Sequence, residues 1–156
     1  MKIAVGCDEA ALLLKEEILK HLQKKGIAAK DFGTYDTAPC LYPDIAVKVA
    51  GEVRTGNYQR GILLCGTGIG MAITANKVPG IRAAVCHDPF SAKRARGSND
   101  AQILCMGARI IAPQLALVVL DTWLESEFEG GSSAEKVARI RYYEKVFQED
   151  ANNTEH

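Results

Sequence analysis

The chain has 156 residues, of which 47% are hydrophobic and 24% are charged, a composition typical of one soluble globular domain. Its 19 basic residues equal its 19 acidic residues in number, so the formal charge is zero. This balance argues against a nucleic-acid binder, which normally carries a basic excess. No apolar run approaches the ~20 residues that cross a membrane, and we expect no membrane partner.

The five cysteines show no C-x-x-C spacing, and their odd number does not suit a disulfide framework. Because no signal peptide is recognisable either, we expect a reducing, cytoplasmic location. No group of His, Cys, Asp and Glu residues has the spacing of metal ligands. The sequence therefore predicts neither a metal nor another cofactor.

Short apolar runs alternate with helical patterns along the chain. In chain order they predict strand 2–7, helix 8–25, strand 27–32, helix 43–56, strand 61–65, helix 71–77, strand 81–86, helix 91–96, a strand within 102–111 and helix 113–128. This alternation predicts a doubly wound α/β fold with a parallel five-stranded sheet. A glycine- and serine-rich stretch separates this core from a C-terminal helical arm at about 134–148. We expect one domain, 1–148, and a polar tail, 149–156.

Reactive side chains follow several predicted strands. They are Asp8 and Glu9 after the first strand, the loop 35–42 after the second, the loop 65–70 after the third, and His87 after the fourth. Ligands bind at the carboxyl ends of the strands in open parallel sheets. The sequence therefore predicts one site that these residues share.

The strongest local signal is the loop Cys65-Gly66-Thr67-Gly68-Ile69-Gly70. Glycines lack a Cβ and let successive amides converge, which stabilises an anion next to Cys65 and favours its thiolate. The loop does not match G-x-G-x-x-G, it lacks the lysine of a Walker A loop, and Met71 stands where a cysteine phosphatase needs arginine. It suits an oxyanion that develops beside a base. The structural alternative is a buried cysteine before a tight turn.

Two of the other candidates also have ordinary structural explanations. Asp8 caps the first helix in one interpretation and transfers protons between substrate oxygens, together with Glu9, in the other. His87 lies just before a helix start and fits either a structural role or a place in the site.

With these residues in place, the chain resembles the family of ribose-5-phosphate isomerase type B and galactose-6-phosphate isomerase. Collinear segments along nearly the whole chain support the resemblance: Asp31 to Thr34, Tyr42 to Asp44, Cys65 to Gly70, Ala75 to Ala83, Cys86 to Asp88, Ser98 to Ala101 and Gly107 to Arg109. The resemblance implies a Rossmann-like subunit, no metal, and a homodimer or tetramer that shares its active site between subunits.

The implied reaction is aldose–ketose interconversion of a phosphorylated small sugar through a cis-enediolate. In that scheme Cys65 moves a proton between C1 and C2, and the amides of Gly66, Gly68, Ile69 and Gly70, with Thr67, hold the enediolate oxygens. Asp8 assists ring opening or protonates an oxygen. Tyr42 and His87 line the substrate site, and Asn99 and the C-terminal arm reach in from the partner subunit.

Departures from the family pattern leave the substrate open. Glu9 and Ser98 stand where the ribose-phosphate enzymes carry histidines, and Ser132 and Lys136 stand where they carry arginines. We expect Arg109 and Lys136 to hold the phosphate, with help from Ser132. Ribose 5-phosphate remains a substrate if Glu9 assists ring opening.

Erythrulose 4-phosphate is the alternative substrate, because a tetrose whose O4 carries phosphate cannot close a furanose ring. A third interpretation is a sugar-phosphate-binding module without turnover.

Overall fold

A computed structural model describes residues 1–153. Five parallel strands form one sheet in the order β2-β1-β3-β5-β4, and they are β1 (Lys2–Cys7), β2 (Ala28–Asp31), β3 (Arg60–Cys65), β4 (Ala83–Val85) and β5 (Ile103–Gly107). Every residue of β3 is buried, as expected for the central strand of a doubly wound sheet. The predicted fold class is confirmed.

Within the described residues, six α-helices connect and extend the sheet: α1 (Leu12–Lys24), α2 (Tyr42–Arg54), α3 (Ile69–Ala75), α4 (Pro89–Gly97), α5 (Pro113–Glu125) and α6 (Ser132–Asn153). Asp8 caps a single 3-10 turn that leads into α1, and the Asp88 carboxylate accepts from the Ser91 amide at the start of α4. Proline occupies the first turn of α2, α4 and α5, where its missing N–H costs nothing. None of the described helices is long and apolar enough to cross a membrane.

The core consists of two layers, one on each face of the sheet. Alternate side chains of β1, β3 and β5 pack with α1, α4 and α5 on one face, where Trp123 is fully buried. The other face packs against α2 and α3. This sandwich of helices around a sheet fixes the carboxyl ends of the strands in space, and the loops that follow them inherit that rigidity.

The C-terminal helix is longer than the sequence predicts. It begins at Ser132 and continues to Asn153, so the part of the expected polar tail that the structure describes, from Glu149, is helical. Positions 154–156 lie outside the described residues. Most of α6 is exposed, but Val137 is buried and Glu144 accepts a hydrogen bond from the Gly80 amide at 3.0 Å. These contacts hold α6 beside the β4 edge of the sheet.

Candidate active site

The strand order reverses between β1 and β3, and this switch point opens a crevice at their carboxyl ends. Cys65 ends β3, and Asp8 follows β1. The Asp8 amide donates to the Leu64 carbonyl at 3.1 Å, which ties the two strand ends together. The sequence prediction that Asp8 and Cys65 meet at one edge of the sheet agrees with this geometry.

The Cys65 side chain faces the turn that follows it. Its Sγ accepts a hydrogen bond from the Gly68 amide at 3.0 Å, and the residue is 5% exposed. Gly68 adopts φ +77°, a left-handed conformation that favours glycine, and this conformation turns its amide toward the sulfur. The Gly68 amide therefore holds the Cys65 side chain at the head of the turn.

The rest of the loop is built on close backbone approaches. A Cβ on Gly107 would lie 2.5 Å from the Thr67 Cα, and one on Gly68 would lie 2.9 Å from the Met106 carbonyl carbon. A Cβ on Gly70 would lie 2.5 Å from the Tyr42 hydroxyl, so the Tyr42 ring lies directly against the loop. Glycine is therefore required where the loop crosses the end of β5, whereas a side chain at position 70 would displace the Tyr42 ring from the loop.

The loop also presents polar groups to solvent. Thr67 is exposed, and its hydroxyl accepts from the Ile69 amide at 3.3 Å. The amide of Gly70, a partly exposed residue, lies in the first turn of α3, where a helix supplies no acceptor of its own. These groups can bind an oxyanion that develops next to Cys65.

Two adjacent carboxyls, Asp8 and Glu9, have pKa values shifted in opposite directions. Burial raises the pKa of Asp8, although its carboxylate accepts from the Ala10 amide at 3.0 Å. Hydrogen bonds from its own backbone amide and from the Cys40 thiol lower the pKa of Glu9. Neighbouring acids whose pKa values diverge are typical of sites where one group transfers protons and the other stays charged.

Arg109 is the cation that acts on both acids and lies against the loop. Its Nη1 lies 3.2 Å from the position that a Cβ on Gly66 would occupy, and its charge acts to lower the pKa of both Asp8 and Glu9. The sequence predicted Arg109 as a phosphate ligand. Its place beside the glycine loop suits an anionic group bound in the same crevice.

Sequence reasoning missed Cys40 and gave Gly107 no role. The Cys40 amide and thiol both donate to Glu9 Oε2, at 3.3 and 3.2 Å. Nothing local marks Cys40, because the contact depends on how the loop 35–42 folds back over the end of β1. A glycine that ends a buried strand, as Gly107 does, is a signal of close backbone approach.

His87 has a structural partner. The Gly107 amide donates to His87 Nε2 at 2.8 Å, so this nitrogen is an acceptor and the ring is neutral. Burial lowers the pKa of His87, which also favours the neutral ring. The structural alternative for His87 is therefore well supported, and its predicted substrate contact stays a prediction.

Four other predicted site residues lie far from Cys65 in the same protomer. Ser98 and Asn99 follow α4, which runs back to the amino end of the sheet, and the Asn99 carbonyl accepts from Arg82 just before β4. At about 3.3 Å per residue, the length of β5 separates the two ends of the sheet by roughly 16 Å. Ser132 and Lys136 belong to α6, whose start is tied to the end of α4 by a Glu129 to Gly97 backbone bond.

Two cavities flank these regions. One of about 370 Å³ opens beside Glu9 and is lined mainly by apolar residues, Leu13 and Pro113 among them. Another of about 490 Å³ lies at the β4 edge and includes Asn99 and Ile140 in its lining. Within residues 1–153, no cluster of three or more His, Cys, Asp and Glu side chains could hold a metal ion.

The fold and the site together define a doubly wound α/β protein with a thiol at the head of a glycine loop and an acidic pair beside it, an arrangement suited to an anionic ligand at the switch point. The Ribose/Galactose Isomerase family model matches residues 3–140. The chain belongs to this family, which confirms the resemblance inferred from the sequence.

Individual relatives are named for two different activities. The chain is 58% identical over 137 residues to the "Ribose-5-P isomerase B" of Listeria innocua, covering 88% of this chain and 93% of that protein. It is 54% identical over 145 residues to the "D-erythrulose-4-phosphate isomerase" of Pectobacterium atrosepticum, covering 92% and 95%. Among solved structures, ribose-5-phosphate isomerase B of Clostridium thermocellum superposes with a TM-score of 0.93 at 48% identity, covering 94% of this chain and 99% of that one.

Proposed function

We propose that the chain is an aldose–ketose isomerase that converts a phosphorylated small sugar through a cis-enediolate, with ribose 5-phosphate and ribulose 5-phosphate as the leading pair. The hydrogen bond from the Gly68 amide to Cys65 Sγ supports this proposal most directly. An anion cradle without turnover gains nothing from an ionisable thiol inside it. The activities for which the relatives are named support the same reaction class.

The proposed reaction begins with an open-chain aldose. The Cys65 thiolate removes the proton from C2, the C2 electron pair forms the C1=C2 bond, and the C1 carbonyl electrons move onto O1. The loop amides and Thr67 stabilise this oxyanion. The Cys65 thiol returns its proton to C1, and Asp8 transfers the O2 proton to O1, which yields the ketose. Its raised pKa suits Asp8 better than an ordinary aspartate to hold and release a proton during this transfer.

Replacement of Cys65 separates an enzyme from a binding module. We expect Cys65→Ala to lower kcat by about 10³-fold or more while sugar-phosphate binding, measured by calorimetry, persists. Cys86→Ala is the matched control, since it removes a buried thiol outside the loop and turnover should survive. Unchanged turnover in Cys65→Ala would exclude Cys65 as the base, and no turnover of any sugar phosphate by the unaltered protein would favour the binding module.

We further propose that a homodimer or tetramer completes the site. The separation of Asn99 and Lys136 from Cys65 supports this, because neither reaches the crevice of its own protomer. Ser98 Oγ is buried without a hydrogen-bond partner among the described residues. This hydroxyl is therefore available to bond a group of a second subunit or of the substrate. Ser132 and Lys136 would then meet the substrate phosphate across a subunit interface, opposite Arg109.

Complementation tests the shared site. If Asn99 acts in a partner's site, Cys65→Ala and Asn99→Ala are each impaired alone. Random mixing of the two variants into dimers gives mixed dimers in which one site has both native residues, and about a quarter of the native activity returns. Mixtures that stay as inactive as their components would contradict a shared site.

Erythrulose 4-phosphate is the second candidate substrate. Glu9 in place of a ring-opening histidine favours it, and the relative from Pectobacterium atrosepticum is named for this activity. The measurement is kcat/KM for both sugar phosphates on one preparation. A kcat/KM far higher for ribose 5-phosphate than for erythrulose 4-phosphate would reject erythrulose 4-phosphate as the preferred substrate.

The state of the cysteines supports a proposal about the cellular location of the protein. All five cysteines are free, which supports a reducing compartment, and we infer that the protein works in the cytoplasm on a phosphorylated metabolite without nucleic acid or membrane.

A further inference from the structure

The contact between Glu9 and Cys40 joins two loops that are distant in sequence. Cys40 lies in the loop between β2 and α2, and Glu9 begins the turn after β1. The Cys40 amide and the Cys40 thiol both donate to one oxygen, Glu9 Oε2. A short side chain and its own backbone thus clamp one edge of the carboxylate.

We propose that Cys40 is a positioning residue, whose thiol and amide fix the Glu9 carboxylate as an ionised acceptor for a hydroxyl group of the substrate. This inference rests on the proposed isomerase function and assigns a role to Glu9 within it. A carboxylate accepts about four hydrogen bonds, so two bonds from Cys40 leave capacity for a ligand. Glu9 also lines the cavity of about 370 Å³ beside the crevice, where a ligand can reach it.

The charged groups around Glu9 support a carboxylate that stays ionised. Asp8 precedes it in the turn after β1, Arg109 faces it from the segment after β5, and Cys40 faces it from the loop before α2. Arg109 and the Cys40 donors favour the charged form, whereas Asp8 opposes it when ionised. The bond from its own backbone amide does most to lower the pKa of Glu9, and the bond from the Cys40 thiol comes next. Burial, followed by the bond to Glu9, raises the pKa of Cys40.

This arrangement makes Glu9 a poor proton donor. A ring-opening acid must be protonated before it acts, and both Cys40 bonds oppose protonation of Glu9. Asp8, whose pKa is raised, is the better proton carrier of the pair. Glu9 therefore accepts a hydrogen bond from a substrate hydroxyl, and Cys40 determines the position of the Glu9 carboxylate.

Substitutions at Cys40 test the assignment. Cys40→Val keeps the side chain's approximate size and removes the donor, whereas Cys40→Ser keeps a donor. We expect Cys40→Val to lower kcat/KM by about 3- to 10-fold, mainly through KM, as fits the loss of one hydrogen bond of ordinary strength at an exposed carboxylate. Cys40→Ser should recover most of this loss. Thr122→Val is the matched control, because it removes a hydroxyl donor within α5, away from the strand ends, and should change kcat/KM less than twofold.

The pH profile and a double-mutant cycle show whether Cys40 acts through Glu9. Removal of a donor to the ionised form raises the pKa of Glu9, so the acidic limb of kcat/KM should move to higher pH in Cys40→Val and return in Cys40→Ser. In a Glu9→Gln background, Cys40→Val should have no further effect on KM. Equal KM values for Cys40→Val and the unaltered protein, or a Cys40→Val effect that persists in Glu9→Gln, would overturn the inference.

A measurement without turnover separates this inference from the proposed function. The Glu9 carboxyl can be titrated by NMR with ¹³C-labelled glutamate in the unaltered protein, Cys40→Val and Cys40→Ser. We expect a higher Glu9 pKa in Cys40→Val alone. The same pKa in all three proteins would reject the clamp even if the enzyme is active. Inactivity of the unaltered protein toward every sugar phosphate would reject the function, whatever the titration shows.

Discussion

A methyl group at Gly107 should displace the loop from Cys65 to Gly70 through its backbone, because the nearest atoms of that loop are backbone atoms. The Cβ of Gly107→Ala would lie 2.5 Å from the Thr67 Cα, 2.6 Å from the Thr67 carbonyl carbon and 2.8 Å from the Gly66 oxygen. Ordinary contacts between such atoms begin near 3.5 Å, so the loop must move by about 1 Å. All three atoms belong to the backbone, and no side-chain rotation relieves the clash. The Gly68 amide would move with the loop, away from Cys65 Sγ.

The expected cost has two parts. Overpacking lowers the free energy of unfolding by about 1–3 kcal/mol, and a misplacement of about 1 Å in a catalytic group lowers kcat/KM by about 10²-fold. Gly51→Ala, with open space around its Cβ in α2, should be neutral or stabilising by up to ~1 kcal/mol. Gly61→Ala crowds core side chains at 3.1 Å and should lower stability with little loss of activity. Native kcat/KM in a folded Gly107→Ala protein would refute the loop model.

Two further predictions concern buried groups. Iodoacetamide at neutral pH should leave Cys7, Cys86 and Cys105 unlabelled in the native protein, as followed by mass spectrometry. Burial raises the pKa of Cys7 and Cys86 to about 11 and that of Cys105 further, so labelling of these three in the native protein would contradict their packing. Lys15→Met should lower the unfolding free energy by about 1–3 kcal/mol in urea titrations, because Asp31, which is partly exposed, and the Thr34 carbonyl both lose the buried Lys15 donor. Lys20→Met, which removes an exposed pair, should change it by less than about 1 kcal/mol.

The fold was predictable because its signals are local. Each buried strand reads as a short apolar run, and several helix starts have a capping acid or a proline within a few residues of the observed boundary. Parallel strands place their carboxyl ends at one edge, so the meeting of Asp8 with the Cys65 loop followed from connectivity alone. The family resemblance supplied the chemistry that the spacing could not.

The remaining features depend on contacts that no local pattern encodes. Lys15 lies in a helix that reads as amphipathic, and nothing in its neighbours predicts that its ammonium group is buried against Asp31 and the Thr34 carbonyl. Cys40 bonds to Glu9 across 31 positions. The helix α6 extends past Gln148 to Asn153, through a polar segment that composition alone suggested would be a tail.

The two adjacent acids connect the mechanism to the choice of substrate. If Cys40 keeps Glu9 ionised, Asp8 is the one carboxyl of the pair that can carry a proton. With a furanose substrate, Asp8 must then act in both ring opening and proton transfer between O1 and O2. Ring opening begins with a protonated Asp8, whereas removal of the O2 proton begins with an ionised one. An open-chain tetrulose phosphate requires only the proton transfer between O1 and O2. Glu9→Gln should therefore affect both substrates alike, whereas a loss confined to ribose 5-phosphate would show that Glu9 opens the ring.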